Sequence, residues 1–295
     1  MSGETLLQVN GLKKYFRLGK TVLKAVDGVS LRLQKGGAFG LVGESGSGKT
    51  TTGRAIVGLY EPTDGEILFE GKEISRLRGA ERRRAAREMQ MIFQDPVSSL
   101  DPRMTVGEIV AEGLRISGER RREVIRKAVE ETLLKVGILP KYAGRYPHEF
   151  SGGQRQRIGI ARAIIMKPKL LIADEPVSAL DVSVQAQVIN LLTELKETMG
   201  LTVLFIAHDL SVVKYFCDEI AVMYRGKIVE QASSQELFKN PLHPYTQSLL
   251  SAIPLPDPAL KGKTKRIVFD GENWEKEGAG MRLMEIKKGH HRPDG

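Results

Sequence analysis

Residues Gly43 to Thr50 read GESGSGKT, between the apolar run Ala38 to Val42 and the helix-like stretch Thr51 to Leu59. The pattern G-x-x-x-x-G-K-[ST], set between a strand and a helix, describes a loop that wraps phosphate. Gly43, Gly46 and Gly48 lack a Cβ, so the backbone can curl and aim successive N–H groups inward, forming an anion nest capped by a helix N-terminus. The whole run, Gly43, Glu44, Ser45, Gly46, Ser47, Gly48, Lys49, Thr50 and the adjoining Thr51, is therefore assigned to the phosphate site. Lys49 supplies a point charge for the β- and γ-phosphates, and the Thr50 hydroxyl suits Mg²⁺, a hard ion that prefers oxygen. The competing reading is a chance glycine-rich turn, against which the correct flanks weigh.

A second segment, Leu170 to Pro176 (LLIADEP), reads as a fully buried strand with Asp174 and Glu175 at its carboxyl end, where parallel sheets place ligands. Asp174 can enter the Mg²⁺ shell, and Glu175 can orient or deprotonate an attacking water. Alone, such an acidic pair is as much a strand-end loop as a site. Beside a phosphate loop it reads as catalytic.

Phe150 to Gln154 (FSGGQ) is the piece that a generic phosphate-loop enzyme lacks. Through Ser151, Gly152, Gly153 and Gln154 the sequence resembles the ATP-binding cassette (ABC) family, whose signature motif it matches. Further landmarks follow in the family's order over roughly Leu6 to Gln231. Gln94 in MIFQDP resembles the Q-loop glutamine, Ser178 to Asp181 (SALD) the D-loop, and His208 in FIAHD the switch histidine. Tyr15 in KKYF takes the place of the adenine-stacking aromatic, with Phe16 beside it offering a similar ring. Each has a bland reading in isolation: an N-cap loop, a loop amide, a polar strand terminus, an edge-strand aromatic. Their joint order overturns those readings.

The resemblance implies ATP and Mg²⁺ as ligands, with Gln94 joining Thr50 and Asp174 near the metal and Glu175 and His208 as catalytic-site residues. It also implies that ATP is sandwiched between the phosphate loop of one chain and Ser151 to Gln154 of a second, with Asp181 at the same junction. A fold follows: an α/β, RecA-like phosphate-loop core with a mainly parallel sheet, an N-terminal antiparallel β layer, an inserted α-helical subdomain and a C-terminal extension. The ATPase domain is expected over residues 1–235, its helical subdomain over about 95–165, and the extension over 236–295.

That extension opens with the S-x-x-E capping box Ser233 to Glu236 and continues as NPLHPYTQSLLSAIP, Asn240 to Pro254. This phrase resembles the tail of the oligopeptide, dipeptide and nickel branch of ABC importers, as do Gln94 to Ile109, Tyr146 to Ala163 and Ala173 to Val188. Several members of the branch carry a cysteine-rich C-terminal segment for an iron-sulfur cluster. Pro254 to Gly295 contains no cysteine, so no cluster is expected. The adjacent His290 and His291 read as surface residues, since two neighbouring histidines without further ligands do not make a metal site. The role of residues after Pro258 stays open.

Composition fits a soluble cytosolic protein: 295 residues, 41% of them hydrophobic, suffice for a sizeable core. No stretch approaches a bilayer span, and MSGETLLQVNG lacks the features of a secretion signal. Cys217, the single cysteine, reads as a small buried hydrophobe. The net charge of +9 invites a nucleic-acid partner, yet Arg82 to Arg87 reads as a mixed-charge helix with few aromatics to stack on bases, and no nucleic acid is expected. The resemblance implies instead transmembrane permease subunits, a second ATP-binding subunit more readily non-identical than identical, an extracytoplasmic substrate-binding protein, and a peripheral place on the cytoplasmic face of the cell membrane. Rival readings are a non-membrane ABC ATPase acting on nucleic acid and a regulatory cassette. The first normally interrupts its cassette with a coiled coil or zinc module, and the second loses Glu175 or His208. This sequence does neither.

Elsewhere, Leu6 to Val9, Leu23 to Val26 and Val29 to Leu33 read as short strands punctuated by turns at Asn10-Gly11 and Asp27-Gly28, with Ile67 to Phe69 extending the layer. Helical spacing runs from Met104 to about Ala163, with Gly137 stopping one helix. Val184 to Leu195 marks another, closed by Gly200, before the strand Leu201 to Ala207 and a hairpin at Arg225-Gly226.

Overall fold

Strands that are apolar at every position must be covered on both faces, and β-strands of this kind form the centre of the molecule. The structure is a computed structural model and describes residues 4–253, 267–271, 283–287 and 290–293. In chain order its strands are β1 (Thr5–Leu18), β2 (Thr21–Gln34), β3 (Ala38–Val42), β4 (Asp64–Phe69), β5 (Lys72–Glu73), β6 (Met89–Ile92), β7 (Leu170–Asp174), β8 (Thr202–Ala207), β9 (Glu219–Tyr224), β10 (Lys227–Ser233), β11 (Leu283–Lys287) and β12 (His290–Pro293). Every residue of β3, β7 and β8 is buried. They lie within one mainly parallel sheet of order β11-β12-β10-β9-β3-β8-β7-β6. The register aligns Val42 with Ala207 and Asp174 with Ile206. Gly43, Glu175 and His208, each the next residue, thus leave the sheet along one edge.

A separate antiparallel sheet has the order β2-β1-β4-β5. Here the turns expected at Asn10-Gly11 and Asp27-Gly28 do not occur. Pairing of β1 with β2 runs through both, with register shifts from Val9 to Lys13 and with Gly11 at φ 55° and Gly28 at φ 83°. A glycine in the left-handed region absorbs an extra residue as a β-bulge, so the strand bends and continues where a local reading sees a reversal. The true reversal is the two-residue loop between Leu18 and Thr21, at Gly19.

Between β6 and β7 the helices Val106–Ile116, Arg122–Lys135 and Gly152–Ile164 pack on one another through Val106, Ile109, Leu133 and Ile158, all buried. Two of them begin with reciprocal capping boxes, Thr105 with Glu108 and Ser151 with Gln154, each satisfying N–H groups that the first turn leaves orphaned. Gly137 (φ 72°) follows the second helix, and Gly200 (φ 65°) ends the helix Val182–Met199. The β9–β10 hairpin turns at Arg225 and Gly226, both with positive φ, as a tight reversal between right-twisted strands requires.

Beyond β10 come the helices Ser234–Lys239 and Pro244–Ser251, and Leu237 and Tyr245 join the same core cluster as β3, β7 and β8. His290, expected at the surface, is instead buried at 1% exposure. Its Nε2 lies 2.7 Å from Oε1 of Glu230, itself fully buried. Glu230 also accepts from the N–H groups of Leu242 and His243, so a long-range carboxylate anchor, invisible in local spacing, draws the histidine inward. Most of Pro254 to Gly295, the segment without cysteine, and most of the stretch after Pro258 lie outside the described residues. Among the described residues no helix is long and apolar enough to cross a membrane.

Candidate active site

The loop that follows β3 is bent by two steric necessities. A Cβ on Gly43 would meet the Met223 carbonyl oxygen at 2.1 Å, and one on Gly48, at φ 106°, would meet that of Ala25 at the same distance. Only glycine lets the chain pass so close to neighbouring backbone. Gly226 N–H donates to the Ser47 carbonyl at 2.8 Å, fastening the loop to the β9–β10 turn. Gly48 then caps the helix Lys49–Ile56 without a side-chain partner, leaving its first N–H groups aimed into the loop for an anion.

A cleft of about 840 Å³ opens over this loop, lined by Glu44, Ser45, Gly46, Gly48, Lys49, Thr50 and Thr51 on one side and by Gln94, Glu175 and His208 on the other. Lys49 Nζ lies at the base, donating to the carbonyl oxygens of Gly43 (2.6 Å) and Glu44 (2.8 Å). Burial lowers its pKa, opposed by the nearby carboxylates of Glu175, Asp174 and Glu44. The ammonium has therefore been drawn out of water and is served by acceptors that a phosphate oxygen could replace.

Asp174 ends β7 fully buried. The Thr50 hydroxyl donates to its Oδ1 at 2.8 Å, while Oδ2 has no hydrogen-bond partner among the described residues. Burial raises the carboxyl above its ordinary value, the Thr50 bond pulling the other way. A desolvated carboxylate with an unused oxygen, next to a hydroxyl, is a donor set that fits a hard divalent cation.

Glu175 sits at φ 44°, an unfavourable region for a residue with a Cβ. Its conformation is over-determined: its N–H donates to Ile206 O at 2.9 Å, and its carbonyl accepts from the Ser178 N–H and hydroxyl. The bend turns the carboxylate over the cleft. There Oε2 receives Gln94 Nε2 at 2.9 Å and lies 3.1 Å from His208 Nδ1. Three residues far apart in sequence thus meet at one oxygen.

Other expected residues stand elsewhere. Tyr15 does not line the cleft; its hydroxyl donates to Asp27 at 2.5 Å, and Phe16, its neighbour in β1, lines the cleft together with Leu23. Alternation of side chains along a strand separates the two rings. Ser151 to Gln154 form the N-terminal cap of the helix Gly152–Ile164 and do not border this cleft. Neither does Asp181, which caps Val182–Met199 by accepting from Val184 N–H. Tyr245 was not anticipated: its hydroxyl accepts from Glu44 N–H at 3.0 Å, a contact spanning 201 residues that no local pattern signals.

A family model described as "ABC transporter" matches residues 26–178, and one described as "Oligopeptide/dipeptide transporter, C-terminal region" matches residues 229–280. The oligopeptide transport ATP-binding protein OppF of Bacillus subtilis is 54% identical over 97% of this chain and 95% of its own length. OppF of Escherichia coli K12 is likewise 54% identical, over 91% of this chain and 84% of its own length. Among solved structures, the post-hydrolysis dimer of the ATP-binding cassette MJ0796 bound to ADP and Pi matches with a TM-score of 0.71 and 29% identity, over 78% of this chain and 99% of that one.

Proposed function

From the premise that the chain belongs to the ABC transporter family, we propose that it is the ATP-hydrolysing motor subunit of an importer for oligopeptides. The observation that carries this reading is the meeting of Gln94, Glu175 and His208 at one carboxylate oxygen across the cleft from Lys49 and Thr50. Relatives named for oligopeptide transport, and the match of residues 229–280 to the oligopeptide transporter C-terminal region, support the cargo class.

In this reading the loop from Gly43 to Thr51 cradles the phosphates of ATP and Lys49 neutralises their charge. Thr50 and Asp174, with Gln94 nearby, would hold Mg²⁺, which when bound screens the phosphates and polarises the bond to be broken. Glu175 accepts a proton from the attacking water. Gln94 and His208, both touching that carboxylate, fix its direction. Phe16, which lines the cleft where Tyr15 does not, offers its ring to the adenine.

Ser151, Gly152, Gly153 and Gln154 lie off this chain's own cleft, and Asp181 with them, so they would close over ATP held by a second ATP-binding subunit arranged head to tail, more readily a non-identical chain than an identical one. The ATPase domain would occupy residues 1–235, with its helical subdomain at about 95–165 facing transmembrane permease subunits, and 236–295 would form the extension. The assembly would place the chain on the cytoplasmic face of the membrane, with a substrate-binding protein delivering peptide from the other side. Glu175→Gln tests the reading: it should retain ATP binding, accumulate ATP-bound dimers and lower turnover by about 10²-fold or more. Hydrolysis at the wild-type rate in that variant would refute it.

A further inference from the structure

The peptide joining Gly43 to Glu44 is held at both poles. Its carbonyl accepts from Lys49 Nζ at 2.6 Å, and its N–H donates to the Tyr245 hydroxyl at 3.0 Å. Tyr245 belongs to the helix Pro244–Ser251, inside the region 229–280 that matches the oligopeptide transporter C-terminal model. Its ring is 2% exposed and packs on Tyr224 and Phe269, with centroids 4.7 and 5.4 Å away. Its own N–H donates to His243 Nδ1 at 3.1 Å, and the His243 N–H donates in turn to buried Glu230. Ring and backbone are both fixed, so the hydroxyl cannot follow the loop if the loop moves. Burial pushes its pKa up to about 12, so it keeps its proton across the physiological range.

We propose that Tyr245 is a positioning residue for ATP, through which the C-terminal segment fixes the Gly43–Glu44 peptide and sets nucleotide affinity. The proposal rests on the ATPase reading above. Phosphate competes with the Gly43 carbonyl for the Lys49 ammonium. When Lys49 turns toward the ligand, the carbonyl loses its donor and the Tyr245 bond becomes the tie that keeps this peptide from rotating. A rotated peptide would swing the Cα atoms on either side of it and carry the neighbouring N–H groups of the loop out of the nest. Bound nucleotide thus depends on Tyr245 more than the free loop does. The hydrogen bonds that join Glu175, His208 and Gln94 do not involve Tyr245.

The test is Tyr245→Phe, which keeps the ring and removes only the hydroxyl. Calorimetric titration of the full chain with ADP and with ATP should show Kd raised about five- to tenfold, the effect of one lost hydrogen bond. In the assembled transporter KM for ATP should rise by a similar factor while kcat at saturation stays within about twofold, because the hydrolytic groups are untouched. Kd and KM unchanged, kcat lowered at unchanged KM, or thermal stability lost without a change in Kd would each overturn the proposal. Lys49→Ala, assayed alongside, separates the premises. If it leaves turnover intact the ATPase reading itself fails; if it abolishes turnover while Tyr245→Phe binds ATP normally, only the role of Tyr245 fails.

Discussion

Asp174→Asn should make the free protein more stable while removing its response to magnesium. The residue is fully buried, one carboxylate oxygen has no partner among the described residues, and the other accepts from Thr50, an interaction that an asparagine carbonyl preserves. An uncompensated buried polar group costs about 1–3 kcal/mol and more when charged; the asparagine amide is still unpartnered but neutral, so the exchange should return the difference, on the order of 1–2 kcal/mol. At roughly 2–4 °C per kcal/mol for a chain of this size class, Tm of the nucleotide-free variant should rise by several degrees at pH 7.5. The pH dependence follows from the sign of the shift. Burial raises the Asp174 carboxyl above its ordinary value of 3.8, so the folded state holds the proton more tightly than the unfolded chain does. Below the ordinary value both states are protonated and nothing is lost. As pH rises through the raised value, wild type gives up stability that the asparagine variant keeps. The gap in Tm should therefore be widest above the raised value and close as pH falls through it toward the ordinary one. The assay is thermal unfolding across pH, with and without ATP and with Mg²⁺ added last. Wild type should gain further stability from Mg²⁺ over nucleotide alone, and the variant should not. A variant less stable than wild type at pH 7.5, or one that still gains stability from Mg²⁺, would refute the reasoning.

His208→Ala should suppress turnover while leaving ATP Kd near its wild-type value, because the ring touches Glu175 and not the phosphate loop; rapid hydrolysis in a single-turnover assay would contradict this. Phe16→Ala should raise KM for ATP roughly tenfold, at the scale of about 1–3 kcal/mol for one base–aromatic stack, whereas Tyr15→Phe should leave it unchanged. His290→Ala should lower Tm by removing one of the three partners of buried Glu230 among the described residues at a cost of about 1–3 kcal/mol, with protease protection of the β12 region falling in parallel.

Features set by neighbours in sequence are legible in the sequence itself. The phosphate loop, the buried strand ending in Asp174 and Glu175, and the glycine stops at Gly137 and Gly200 follow from chemistry over a few residues. The order of these pieces carried the fold class. What stayed hidden was decided over long range or by pairing. Gly11 and Gly28 carry the signs of turns, but a partner strand on one side converts both into bulges. Tyr15 and Phe16 offer equal rings, and only the face that each takes in β1 separates them. Tyr245 and His290 answer to Glu44 and Glu230, 201 and 60 residues away, where no periodicity reaches.

The left-handed backbone at Glu175 sets durability against work. Glycine is the one residue at ease there, and replacing the glutamate by it would relax the bend while deleting the proposed proton acceptor. Laboratory evolution for heat resistance alone, with no demand for nutrient uptake, should drift toward glycine at this codon. A culture starved for peptides should hold the glutamate against that drift, so the position would serve as a gauge of which pressure a population has lived under.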